Sequence, residues 1–192
     1  MRFFQYLPYL KRLGIEVTVS PLFSDEYVFR LQQRNRRSRS EALFGLIRRM
    51  RCLLNAGGHD LLWIEKEALP WLPLMLERLF LDGAQPYVLD YDDAVFHHYD
   101  QHRNPMVRGL LGAKHDGLMR KSRLVMAGNS YLAARALAAG AARVEILPTV
   151  VDLDRYPAPS FSSQPAVQPI IGWIGQRHNA HYLELIGKSV HQ

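Results

Sequence analysis

Four short apolar runs, separated by stretches with helical spacing, constrain this chain more than any other feature. The runs are "DLLWIEKE" (60–67), "PYVLDYDD" (86–93), "RLVMAGNS" (123–130) and "RVEILPTVVD" (143–152). Strands this apolar belong in a sheet covered by helices, and strand–helix alternation predicts that they run parallel. The intervening helices are expected over "ALPWLPLMLERLFL", with both prolines in its first turns, over "NPMVRGLLGAKHDGLMRKS" and over "SYLAARALAAG". Upstream, "FFQYLPYLKRLG" reads as a helix closed by Gly14, and "IEVTVSPLF" as a further strand. Residues 40–54 place Leu43, Phe44, Leu46, Ile47, Met50, Leu53 and Leu54 on one broad helical face. The fold class expected is α/β, with a Rossmann-like, doubly wound parallel sheet.

Past this alternation the composition changes. "YPAPSFSSQPAVQP" is rich in proline and serine, which marks a linker, and "IIGWIGQ" then opens a new β-turn-α unit. The domains expected are residues 1–155, a linker over 156–168, and an incomplete second unit over 169–192. With 192 residues, 48% of them hydrophobic, the chain can bury one sizeable core and not two. Its formal charge of +6 favours anionic partners. The single cysteine, Cys52, excludes an internal disulfide and suits a reducing compartment. No signal peptide is legible at the N-terminus, and no uncharged stretch has the unbroken apolar character of a membrane span. A cytoplasmic location is expected.

Ligands of parallel α/β sheets sit at the carboxyl ends of the strands. There "YVLDYDDAVF" places Asp90, Asp92 and Asp93, three carboxylates that repel one another unless a cation, a basic partner or a proton intervenes. Capping of the next helix accounts for any one of them. Three chemistries account for the cluster: a D-x-D pair holding Mg²⁺ or Mn²⁺ against a diphosphate, a nucleophile and acid at Asp90 and Asp92 as in haloacid-dehalogenase-like phosphatases, or a general base for an acceptor hydroxyl. The phosphatase pattern also needs a second acidic pair downstream, and no such run follows. At the next strand end, Asn129 or Ser130 caps a helix, and free N–H groups at such a start can also face an anion.

In order and spacing, "RFFQYLPYLKRLGIEVTV", "DLLWIEKE", "PYVLDYDDAVF", "RLVMAGNSYLA", "VEILPTVVDLDRY" and "IIGWIGQ" resemble the GT4-like group of retaining glycosyltransferases with the GT-B fold. The resemblance implies two Rossmann-like domains, the first for the acceptor and the second for a nucleotide-diphosphate sugar, which is a substrate; it implies no cofactor and no metal. Asp93, then Asp92, would orient or deprotonate the acceptor. Gly172 and Gly175 would let the backbone approach the donor diphosphate, with Arg177 near the phosphate, and Asn129 and Thr149 would line the interdomain cleft. The acceptor implied is a polysaccharide or a lipid-linked sugar. The later donor-domain residues that neutralise the diphosphate lie beyond Gln192, and the glycine-rich first loop would precede Met1. This polypeptide alone is therefore expected to have little or no transferase activity. A catalytically dead remnant that only binds an acceptor or a membrane is the remaining alternative.

Between Arg30 and Arg51 the chain carries eight arginines and one acid, Glu41. "RLQQRNRRSRS" reads as polar and mobile, and an amphipathic helix follows it. A solvated loop is one account. The other is attachment to anionic lipid at the inner membrane face through Arg36, Arg37, Arg39, Arg48 and Arg49. Nucleic acid is not expected as a partner, because the run "RLQQRNRRSRS" contains no aromatic residue for base stacking.

Overall fold

The computed structural model describes residues 3–34, 38–83, 85–151, 172–175, 177–185 and 187. The chain divides into two compact units, Met1–Asp152 and Leu153–Gln192.

The first unit is α/β. Its sheet has four parallel strands, β1 (Leu62–Glu65), β2 (Tyr87–Tyr91), β3 (Leu124–Ala127) and β4 (Val144–Ile146), ordered β1-β2-β3-β4. Its helices are α1 (Leu7–Arg12), α2 (Asp25–Arg34), α3 (Arg39–Leu54), α4 (Leu74–Leu81), α5 (His97–Asp100), α6 (Pro105–Leu111), α7 (Lys114–Lys121) and α8 (Ser130–Ala138). All three strand-to-strand crossovers step in the same direction. Right-handed crossovers of that kind place their helices on one face of the sheet. Accordingly α3 packs on α4, α4 on α7 and α7 on α8. No switch point divides the four strands, so among the described residues the sheet is wound in one direction rather than doubly.

Register explains which side chains meet that helical layer. Leu62 and Ile64 align with Tyr87 and Leu89, and Leu89 and Tyr91 with Val125 and Ala127. These residues form the core with Leu118, Met119, Leu132 and Ala136. The opposite face carries Trp63, Val88, Asp90 and Met126. There Phe3 packs on Trp63 with ring centroids 4.7 Å apart.

Several elements differ from the sequence reading. Gly14 closes α1 at φ +76° as expected, with Ile15 N–H donating to Leu10 O at 3.0 Å. "IEVTVSPLF", however, forms no strand. Ile15, Val17 and Val19 are exposed, and the segment joins no neighbour in the sheet. Alternating apolar residues specify a strand only where a partner strand is present to take up their backbone groups. Residues 25–34 are helical, with Ser24 Oγ accepting from Tyr27 N–H, so the basic segment is structured up to Arg34. The α3 stripe is narrower than expected. Leu46, Met50 and Leu53 pack on the core, whereas Leu43, Phe44 and Leu54 are exposed.

Helix α4 begins at Leu74, after both prolines rather than around them, because Leu72 precedes Pro73 and is steered away from helical dihedrals. The helix expected over 104–122 is two helices, α6 and α7, separated at Gly112–Ala113, and the short α5 precedes them.

In the second unit, residues 172–174 are irregular rather than a strand, and residues 177–185 form a 3₁₀ helix. Ile170, Ile171 and the expected linker over 156–168 lie outside the described residues.

Candidate functional site

The carboxyl ends of β1, β2 and β3 bring Lys66, Asp92, Asp93 and Asn129 to one edge of the sheet. Lys66 follows β1 directly and adopts φ +63°, a left-handed backbone that a residue with Cβ adopts rarely. Its N–H stays in the ladder, donating to Asp90 O at 2.9 Å. Its ammonium reaches Asp92 Oδ1 at 3.0 Å and Glu65 Oε1 at 3.5 Å. Burial works to lower the Lys66 pKa, but the hydrogen bond and charge of Asp92, joined by Glu65, outweigh it and hold the pKa above its ordinary value.

Asp93 is exposed, and its Oδ1 accepts the Ala94 N–H at 2.8 Å. One oxygen of Asp93 is thus spent on the backbone of its own turn. Its Oδ2 has no hydrogen-bond partner among the described residues. Gly128 allows β3 to exit against this site. A Cβ there would lie 3.2 Å from both Asp92 Cα and Tyr91 O, and Gly128 N–H donates to Tyr91 O at 2.7 Å. Asn129 Oδ1 accepts from Leu132 N–H at 3.0 Å, so it caps α8. Thr149 is exposed, three residues past the end of β4.

Asp90 is 1% exposed, within β2. Its side chain shares the Trp63–Val88–Met126 face of the sheet and is not presented at the edge beside Asp92. Among the described residues no three His, Cys, Asp or Glu side chains are grouped so as to hold a metal ion.

Beneath the edge lies a buried ionic cluster that nothing in the strand pattern announces. Lys114, on α7, donates to Glu67 Oε2 at 2.6 Å and to Leu69 O at 2.6 Å, and pairs with Glu77 Oε2 at 2.8 Å. Its ammonium thus makes two hydrogen bonds and a third, purely ionic contact. Glu77, on α4, also accepts the Ala68 N–H at 2.7 Å. Tyr99 donates to Glu67 Oε1 at 2.8 Å and accepts the Trp71 N–H at 2.9 Å. Tyr91 donates to Lys66 O at 2.9 Å and lies 2.8 Å from His115 Nδ1. Because the Tyr91 proton is committed to Lys66, the network assigns the His115 hydrogen to Nδ1. Burial, then the positive Lys114, pushes the His115 pKa down to about 3, so the imidazole is neutral. Burial, then Glu67, pushes the Tyr91 and Tyr99 hydroxyls upward and keeps them protonated as donors.

Every one of these contacts ends on the loop over residues 66–71 or on its neighbours. The cluster therefore clamps a loop whose two ends, Lys66 and Trp71, both have left-handed backbone, at φ +63° and +64°. Such strain persists where surrounding contacts over-determine it, and it concentrates at functional sites.

A relay of side chains links α5, α7 and α8. His97 Nδ1 lies 2.8 Å from Asp100 Oδ1, and His97 Nε2 lies 2.6 Å from the Tyr131 hydroxyl. Arg135 bridges Asp100 at 3.1 Å and Asp116 at 2.7 Å. Neither the relay nor the buried cluster was legible as a site. The spacing of His97 and Asp100, one helical turn, is the available signal for the relay. Charged residues inside apolar helices, Glu77 above all, are the signal for the cluster.

The other candidates are dispersed. Gly172, Gly175 and Arg177 belong to the second unit, where Gly175 lies against the Trp173 ring. Arg36 and Arg37 lie outside the described residues, and Arg39 is exposed at the start of α3. Arg48 donates to Pro21 O at 3.0 Å and Leu22 O at 2.9 Å, and Arg49 to Ser20 O at 2.7 Å. Both side chains thus help hold residues 20–22 against α3, while Arg48 itself remains exposed. Among the described residues no helix is long and apolar enough to cross a membrane. No family model, curated protein or solved structure matches the chain.

Proposed function

We propose that the chain contributes the acceptor side of a glycosyltransferase that moves a sugar from a nucleotide-diphosphate donor to a polysaccharide or lipid-linked acceptor. The observation that carries this reading is the carboxylate pair at the end of β2. Asp92 is fixed by Lys66, and Asp93 is exposed beside it with one oxygen uncommitted. A parallel sheet presenting a fixed and an open carboxylate between two strand ends suits the binding of an acceptor hydroxyl. On this reading Asp93 orients the hydroxyl or takes its proton, Asn129 and Thr149 line the same edge, and Gly172, Gly175 and Arg177 serve the donor. Attachment to the inner membrane face would rely on Arg36, Arg37, Arg39 and the exposed Arg48, with Arg49 partly buried. The phosphohydrolase alternative gains nothing from the burial of Asp90.

The test has two readouts on the purified chain: release of nucleoside diphosphate from UDP-, GDP- and ADP-sugars in the presence of polyprenyl-phosphate-linked sugars, and amide shifts on adding those acceptors alone. Acceptor-induced shifts centred on residues 91–96 and lost in Asp93→Asn are expected. No release and no shift at these residues with any acceptor would end the proposal.

A further inference from the structure

We infer that Trp71 is a saccharide-stacking platform, the part of the acceptor site that holds a sugar ring by its C–H face. The inference deepens the glycosyltransferase reading and rests on it for the substrate class; the geometry is its own evidence.

Trp71 is 57% exposed, an unusual state for so large an apolar ring. It is also held in a backbone conformation that a bulky side chain adopts only under constraint, φ +64°. The constraint is visible. Its N–H donates to the buried Tyr99 hydroxyl at 2.9 Å, that hydroxyl donates to Glu67, and Glu67 is tied to the buried Lys114. Two rings stand nearly perpendicular to the indole, Tyr99 at 5.1 Å and 85° and His102 at 5.9 Å and 82°. His102 Nδ1 accepts the Asn104 N–H at 3.0 Å, so in the neutral imidazole Nε2 carries the hydrogen and remains as a donor.

A rigid aromatic face bordered by a hydrogen-bond donor is what a pyranose requires. Its C–H bonds meet the electron-rich ring and its hydroxyls meet the polar border. Because the Trp71 backbone is already pinned through its N–H, less conformational freedom is lost on binding.

Lipid is the competing occupant, because Met75 and Leu79 follow Trp71 at four-residue intervals and are also exposed. Along the loop and α4 no unpaired cation invites an anionic headgroup. The only cations between residues 66 and 82, Lys66 and Arg78, are each bound to a carboxylate, Asp92 at 3.0 Å and Asp82 at 2.6 Å. The strained and anchored backbone likewise suits a fixed stacking partner better than a fluid one.

Indole N–H resonances test this directly. The chain has three tryptophans, and the resonance lost in Trp71→Asn is that of Trp71. Asn accepts left-handed backbone readily, so the variant is expected to fold, as checked by spectral dispersion and melting temperature. The probes are maltopentaose, cellopentaose and chitopentaose at millimolar concentration, and vesicles of phosphatidylcholine with phosphatidylglycerol.

The expected result is a shift of the Trp71 resonance by at least one oligosaccharide. Its affinity should be retained in Trp71→Phe and at least tenfold weaker in Trp71→Asn. A Trp71 resonance that moves with vesicles and with no oligosaccharide, or with neither, overturns the inference, as does full saccharide affinity in Trp71→Asn. Saccharide binding that depends on Trp71 without any response at Asp92 and Asp93 would uphold the platform and sink the transferase reading. An acceptor response at the aspartates that ignores Trp71 would do the reverse.

Discussion

His115 makes the stability of the first unit dependent on acid in a way that can be worked from the structure. In the folded chain its pKa is pushed down to about 3, against an ordinary 6.5. A histidine whose folded pKa is depressed stays neutral in the native state while the unfolded chain takes up a proton. Its contribution is complete above pH 6.5 and is lost as pH falls from 6.5 towards 3. Between pH 7.5 and pH 5 the unfolded state gains about one and a half decades of proton binding at this group, or about 2 kcal/mol of stability lost. The control is His115→Asn, whose amide N–H can replace Nδ1–H towards Tyr91. The variant starts lower, by about 1–3 kcal/mol for the smaller side chain. The assay is urea unfolding followed by circular dichroism at pH 7.5, 6.5, 5.5 and 5. All other titrating groups are common to both chains, so the difference between their pH profiles isolates His115. The wild type should lose about 2 kcal/mol more than His115→Asn over this range. Parallel profiles would mean that the native imidazole protonates freely, and the neutral, Nδ1–H form assigned from the Tyr91 contact would be wrong.

Four further substitutions probe the rest of the first unit. Lys114→Met leaves Glu67 and Glu77 without their shared cation in a buried position, and a loss of about 3–5 kcal/mol in denaturant titration is expected; near-neutral stability would show the cluster to be dispensable. Gly128→Ala puts a Cβ 3.2 Å from the Asp92 Cα and the Tyr91 carbonyl, both backbone, and should cost about 1–3 kcal/mol while shifting the Asp92 amide resonance. Arg49→Ala should cost about 1–3 kcal/mol because the Ser20 carbonyl loses its donor, whereas Arg39→Ala should leave the melting temperature unchanged. If the basic segment meets anionic lipid, Arg39→Ala weakens vesicle binding about fivefold, and identical binding would remove Arg39 from that surface.

Two levels of organisation meet in this molecule. The four strands, their parallel direction and the helices that follow were legible in the sequence, because apolar runs of strand length alternating with helical spacing have few other ways to bury themselves. The capping roles of Gly14 and Asn129 were equally local: each depends on backbone within a few residues. The position of Asp92 and Asp93 followed from the strand that precedes them.

What the linear order could not reveal depends on partners distant in the chain. Whether "IEVTVSPLF" becomes a strand turns on a neighbouring strand rather than on its own alternation, and it has none in the described sheet. What Arg48 and Arg49 bond to turns on the carbonyls of residues 20–22, more than two dozen positions away. Lys114 and Glu67 lie 47 residues apart, and Tyr91 and His115 lie 24 apart, so only packing of α7 against the ends of β1 and β2 creates the cluster. The same packing forces the left-handed backbone at Lys66 and Trp71. Local residue preferences alone would place neither there, since a side chain with a Cβ enters that region only when tertiary contacts outweigh its cost.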